Sequence, residues 1–121
     1  ELVKEEVDFA FETTLSTKSY IRLLKNVKPT YKIILFFLWL ESVDLAKKRV
    51  KERVLLGGHF IPDDVVERRY YRGIKNLSNF LSLADVWIIV DNSNDSMSIV
   101  AEGESNIDSS IYNQDIWNRI I

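Results

Sequence analysis

Apolar positions along the chain fall into blocks whose period changes, and each block predicts an element. Val7 to Phe11 alternates into an apolar run and reads as a strand. Ser16 or Thr17 in "TTLSTKS" can then cap a helix whose stripe is Tyr20, Leu23, Leu24 and Val27, ended by Pro29. Ile33 to Leu40 is uninterrupted by polar residues, which predicts a strand buried on both faces, as in a parallel sheet covered by helices. Ser42 caps a second helix with Asp44 in its first turn and Val43, Ala46, Val50 and Val54 as its buried stripe. Gly57 and Gly58 close it, and Pro62, Asp63 and Asp64 open a third helix.

A fourth apolar pattern, Ile74, Leu77, Phe80, Leu81 and Ala84, leads into a strand at Val86 to Val90. "DNSND" is turn chemistry, "SIVAEGE" reads as a short closing strand, and Ile111, Ile116, Trp117 and Ile120 suggest a final helix. Strands alternating with helices predict an α/β layered fold, part of a doubly wound, mostly parallel sheet. Three or four visible strands are few for such a sheet. The chain opens at Glu1 without a methionine, which agrees with a carboxy-terminal portion of a larger domain.

Composition narrows the classes. The 121 residues form one domain, 1–121, and 46% apolar content excludes disorder. Without cysteine there are no disulfides or thiolate metal sites, and His59 alone gives little scope for histidine ligation, so no metal site is expected within the chain. The longest apolar run, "IILFFLWL", is too short for a bilayer, and no signal peptide opens the chain; the expected compartment is the cytoplasm, with no membrane partner. A net charge of −2 gives the molecule as a whole no pull toward nucleic acid.

Three groups of residues carry candidate chemistry. Arg68 and Arg72 share a helix face, Arg69 and Arg72 adjoin, and Arg49 and Arg53 repeat the spacing one helix earlier. They are either an ordinary solvated surface, offset by Glu52 and Glu67, or a hairpin lid over residues 49–73 that closes on phosphates. "FETTLS" puts Glu12, Thr13, Thr14 and Ser16 at the end of a predicted strand, where open α/β sheets place a ligand crevice; a surface acid and a helix start is the plain alternative. "DNSN", with Asn92 and Ser93, can line a nucleotide-base pocket or simply turn the chain.

Together "FAFETTLS", "FFLWL", "RVKERVLLGGHFIPDDVVERRYYRGIKNL" and "LADVWIIVDNS" resemble the zeta-toxin-like P-loop kinases, in the branch described as predicted ATPases, over about Val7 to Glu104. The resemblance implies an ATP-dependent phosphotransferase that uses Mg2+ and moves a phosphoryl group to a hydroxyl. Members studied as toxins phosphorylate UDP-N-acetylglucosamine, which makes a nucleotide sugar the implied acceptor class and a cognate antitoxin an implied partner. It places Glu12 and Thr14 in the substrate pocket and Arg68, Arg69 and Arg72 at the transferring phosphates. Arg53, Asn92 and Ser93 would then lie on the nucleotide.

The departure is that G-x-x-x-x-G-K-[ST] does not occur: no glycine among Gly57, Gly58, Gly73 and Gly103 precedes a lysine. Alone, the chain is expected to be inactive. The alternative is a non-catalytic interaction module that self-associates through an unpaired sheet edge. Binding of bases by Tyr70 and Tyr71 is disfavoured by the net charge and the flanking acids.

Overall fold

The chain folds, in a computed structural model describing residues 4–5, 7–105 and 107–121, as helices packed on a small mixed sheet. The order is α1 (Ser19–Val27), β1 (Ile34–Trp39), α2 (Val43–Leu55), α3 (Asp63–Leu81), β2 (Val86–Asp91), β3 (Ser98–Glu104), β4 (Ile107–Ile111) and α4 (Gln114–Ile120). The strands lie in the spatial order β1-β2-β3-β4. Only β1 and β2 run parallel, joined through α2 and α3; β2 with β3 and β3 with β4 are antiparallel.

This overturns the expected doubly wound, mostly parallel P-loop sheet. The reason is connection length. A parallel return needs a crossover of a dozen or more residues, and only the α2–α3 segment supplies one. The short turns after β2 and β3 force each following strand back antiparallel.

The strand expected at Val7 to Phe11 does not form, because no strand lies beside it to accept its backbone. Its aromatic rings pack on the α1 region instead, Phe11 with Tyr20 at 4.7 Å and Phe9 with Tyr31 at 5.6 Å between centroids. Helix α1 begins at Ser19 after Lys18 and takes no side-chain cap from Ser16 or Thr17. Three expected signals do terminate elements: Ser42 Oγ accepts from the Leu45 amide at 3.1 Å, Pro29 follows α1, and Gly57 closes α2. Gly57 has φ +96°, and the Gly57 and Gly58 amides donate to the Val54 and Arg53 carbonyls, a left-handed cap that makes the hairpin turn defined rather than loose.

One face of the sheet is covered. Leu35, Phe37 and Trp39 point with Trp87, Ile89 and Ala101 toward α1, α3 and α4, where Leu77, Phe80, Leu15 and Ile120 complete the core. Trp87 lies over Gly103, where any Cβ would come within 2.6 Å of its ring, and stacks on Trp117 at 5.8 Å.

The other face is bare. Ile34, Phe36 and Leu38 are 55%, 64% and 55% exposed. Beside them lie Val86, Ile88, Val90 and the exposed Ile99. The continuous apolar run of β1 is therefore not covered on both sides as expected. Among the described residues, no strand pairs with the outer edge of β1.

Candidate functional site

Helix α3 is where the sequence-expected residues meet. It is opened by Pro62 with Asp63 and Asp64 in its first turn, and its register with α2 is set by Lys47–Glu67 at 3.3 Å and Lys51–Asp63 at 3.7 Å. These pairs fix the two helices antiparallel. At about 1.5 Å of rise per residue, Arg53 then stands roughly 10 Å from Arg68 along the hairpin, and farther from Arg72. Arg53 sits at the hairpin tip, while Arg68, Arg69 and Arg72 sit nearer the sheet. All four are exposed, and none has a carboxylate partner among the described residues.

The "FETTLS" segment does not end a strand; it is a loop pressed onto α3. A Cβ at Gly73 would lie 2.5 Å from the Thr14 carbonyl oxygen, so only glycine allows the loop to seat there. One turn on, the buried Asn76 donates its side-chain amide to the Leu15 carbonyl at 2.8 Å. Leu15 has φ +57°, an unusual conformation for a branched residue, yet its side chain is 4% exposed within the core. Its amide donates to Thr13 Oγ1 at 3.2 Å, and Thr14 Oγ1 donates to Ser16 Oγ at 2.8 Å. A left-handed leucine costs on the order of 1 kcal/mol or more and persists only where surrounding contacts over-determine it. Here those contacts are Asn76, Gly73 and the core. Thr14 is thereby held, exposed, against the α3 turn that follows Arg72, and the exposed Glu12 precedes it in the loop.

A second convergence lies past the carboxyl ends of β1 and β2. The Glu41 amide donates to Ser93 Oγ at 2.8 Å, Arg49 donates to the Ser93 carbonyl at 3.2 Å, and the Ser93 amide donates to Asp91 Oδ1 at 3.0 Å. The Asn92 amide donates to the Trp39 carbonyl at 2.8 Å. Ser93 thus ties the two strand ends together through its hydroxyl, turns the chain after β2 through its amide, and holds Arg49 of α2 through its carbonyl. Arg119 from α4 donates to the Glu41 carbonyl at 2.8 Å and lies 4.9 Å from the Trp39 ring centroid. Tyr70 donates to the Leu40 carbonyl at 2.7 Å; burial raises its pKa, with Arg119 pulling the other way.

Gly73, Asn76 and Arg119 are not among the residues the sequence pointed to, and Tyr70 enters there only as a disfavoured platform for bases. Two carried a signal: a glycine in mid-helix, and an asparagine beside the apolar positions Ile74, Leu77 and Phe80. His59 is exposed in the hairpin turn. Among the described residues no group of three or more histidines and carboxylates is arranged to hold a metal ion. No helix there is long and apolar enough to cross a membrane.

No protein-family model and no solved structure match the chain. A Haemophilus influenzae protein described as uncharacterized is 36% identical over 69 residues, 56% of this chain and 49% of that protein. The match spans about half the length of that relative.

Proposed function

We propose that this chain supplies the acceptor-binding and arginine-bearing portion of an ATP-dependent phosphotransferase, the activity implied by its resemblance to zeta-toxin-like kinases. The observation that supports the reading is the seating of the Thr14 carbonyl on Gly73, the residue after Arg72, which holds the "FETT" loop against the arginine-bearing helix. In this reading Glu12 and the hydroxyls of Thr14 and Ser16 orient a sugar-like hydroxyl. Arg68, Arg69 and Arg72 offer planar forks to phosphate oxygens and offset the charge that spreads over them during transfer. Arg53, distant at the hairpin tip, meets a different part of the nucleotide or none; Ser93 contributes shape through the loop it fixes rather than a free hydroxyl.

Among the described residues no group of three or more histidines and carboxylates could hold a metal ion, and the sequence has no Walker motif; in this reading ATP and Mg2+ are ligands of a longer polypeptide. The test is magnesium-dependent ATP turnover, with and without UDP-N-acetylglucosamine, by the longest polypeptide encoded with this chain. Arg68→Ala and Arg69→Ala are each expected to lower turnover by roughly a hundredfold or more, within the range known for transition-state arginines. Unchanged turnover in both folded variants removes the role.

A second reading, self-association, is favoured by the bare face and unpaired edge of β1. A second copy's β1 paired edge to edge would satisfy the open backbone groups and join the two apolar strips. Light scattering decides it: a monomer at all concentrations, unchanged by Phe36→Lys, excludes pairing.

A further inference from the structure

The net charge of −2 conceals a segregation. Residues 13–40 hold Lys18, Arg22, Lys25, Lys28 and Lys32 and no carboxylate; residues 68–84 hold Arg68, Arg69, Arg72 and Lys75 and no carboxylate. The fold lays these two stretches side by side. Leu15 is tied to Asn76 at one end and the Lys28 ammonium donates to the Leu83 carbonyl at 2.8 Å at the other, so α1 runs alongside the second half of α3. Between them is a cleft of about 510 Å³, walled by Lys18, Arg22 and Lys25 on one side and by Asn79 and Ser82 on the other. Lys28 is occupied by Asp85 at 3.3 Å, whereas Lys18, Arg22, Lys25 and Lys75 have no carboxylate partner among the described residues.

We propose that this cleft binds the phosphate backbone of a single-stranded nucleic acid. Lys18, Arg22 and Lys25 recur at i, i+4 and i+7, a row of cations spaced along one helix face. Leaving such a row unpaired is electrostatically costly for folding, and a chain of phosphates relieves it. On α3, Tyr71, Lys75 and Asn79 also recur at i+4 spacing toward the cleft; Tyr71 meets Tyr70 edge to face at 5.2 Å between centroids yet is 56% exposed, ring surface that a base can stack on. A cationic groove with an aromatic platform at its end is the arrangement that holds single strands without reading sequence. Ile21 and Leu83 also line the cleft, so it offers apolar contact beside the cations and amides. The site uses none of the residues assigned to phosphoryl transfer and stands or falls separately from it.

The experiment is fluorescence anisotropy of a labelled oligothymidylate of roughly 15 nucleotides, matching known single-strand site sizes. It is run against a duplex of equal length and vesicles of phosphatidylserine, across a salt series. Salt-dependent binding of the single strand in preference to the duplex is expected. Lys18→Ala/Arg22→Ala/Lys25→Ala should weaken it at least about tenfold and flatten the log–log salt slope by about 2, from roughly 0.7 per lost phosphate contact. Tyr71→Ala should weaken binding with the slope unchanged, and Lys47→Ala/Lys48→Ala on α2 should leave it unchanged. No binding at about 50 mM salt, equal binding by the triple variant with its fold intact, or binding to vesicles alone would each overturn the proposal.

Discussion

The two faces of β1 differ by one residue step and by nearly everything else. Phe37 and Trp39 look into a core shared with Leu77 and Ile89, while Phe36 and Leu38, equally apolar, look onto open surface. Period-2 geometry assigns each residue to a face, but what covers a face is decided by where the helices go. Here α1, α3 and α4 all pack on the Trp39 side. The packing that stabilises the fold is therefore carried by one side of the strand, while the other side is left bare.

The comparison is broken most sharply by large-to-small substitutions. Leu77→Ala and Ile89→Ala, both at 0% exposed positions, are expected to cost about 3–4 kcal/mol each in denaturant unfolding. Phe36→Ala on the bare face should stay within about 0.5 kcal/mol. Equal costs would mean that both faces are buried.

Next in size is the loop clamp. Gly73→Ala must push the Thr14 carbonyl away, and Asn76→Ala leaves the Leu15 carbonyl unpaired in a buried setting. Each is expected to cost about 1–3 kcal/mol. Each should also raise amide hydrogen exchange over residues 12–16, an effect that Lys75→Ala should not share.

Smallest is the acid effect at Asp85. The Ile33 amide, donating at 2.7 Å, holds its carboxyl below the usual carboxylate range, with Lys28 assisting. A folded pKa below the unfolded one makes the contribution present above about pH 4 and lost as pH falls through the folded value. Asp85→Asn should flatten the melting temperature against pH in that acid window and leave the profile above it parallel to the parent; an unaltered acid limb counts against the assignment.

Much of the element list was legible because its signals are local. Ser42, Pro62, Gly57 and the "SIVAEGE" alternation each act within one turn or one strand. Sheet direction was less legible: a buried apolar run is equally consistent with either pairing, and connection length decides it. The Val7 to Phe11 strand failed because alternation states a preference that only a neighbouring strand can satisfy. β4, with its hydroxyl-rich "IDSSI", lacks the apolar pattern that marks the other strands and exists by pairing with β3. At the candidate site, the arginines and "FETT" could be named from the sequence. Their meeting through Gly73 and Asn76 could not, since both contacts span about sixty positions.

The chain has no cysteine, so single thiols report coverage without background. The most direct measurement is the labelling rate of Phe36→Cys against Ile89→Cys by a small thiol reagent under native conditions. Phe36→Cys is expected to react near the rate of a free thiol, and Ile89→Cys only through unfolding, slower by orders of magnitude. Comparable protection at both positions in the monomer would contradict a sheet covered on one face.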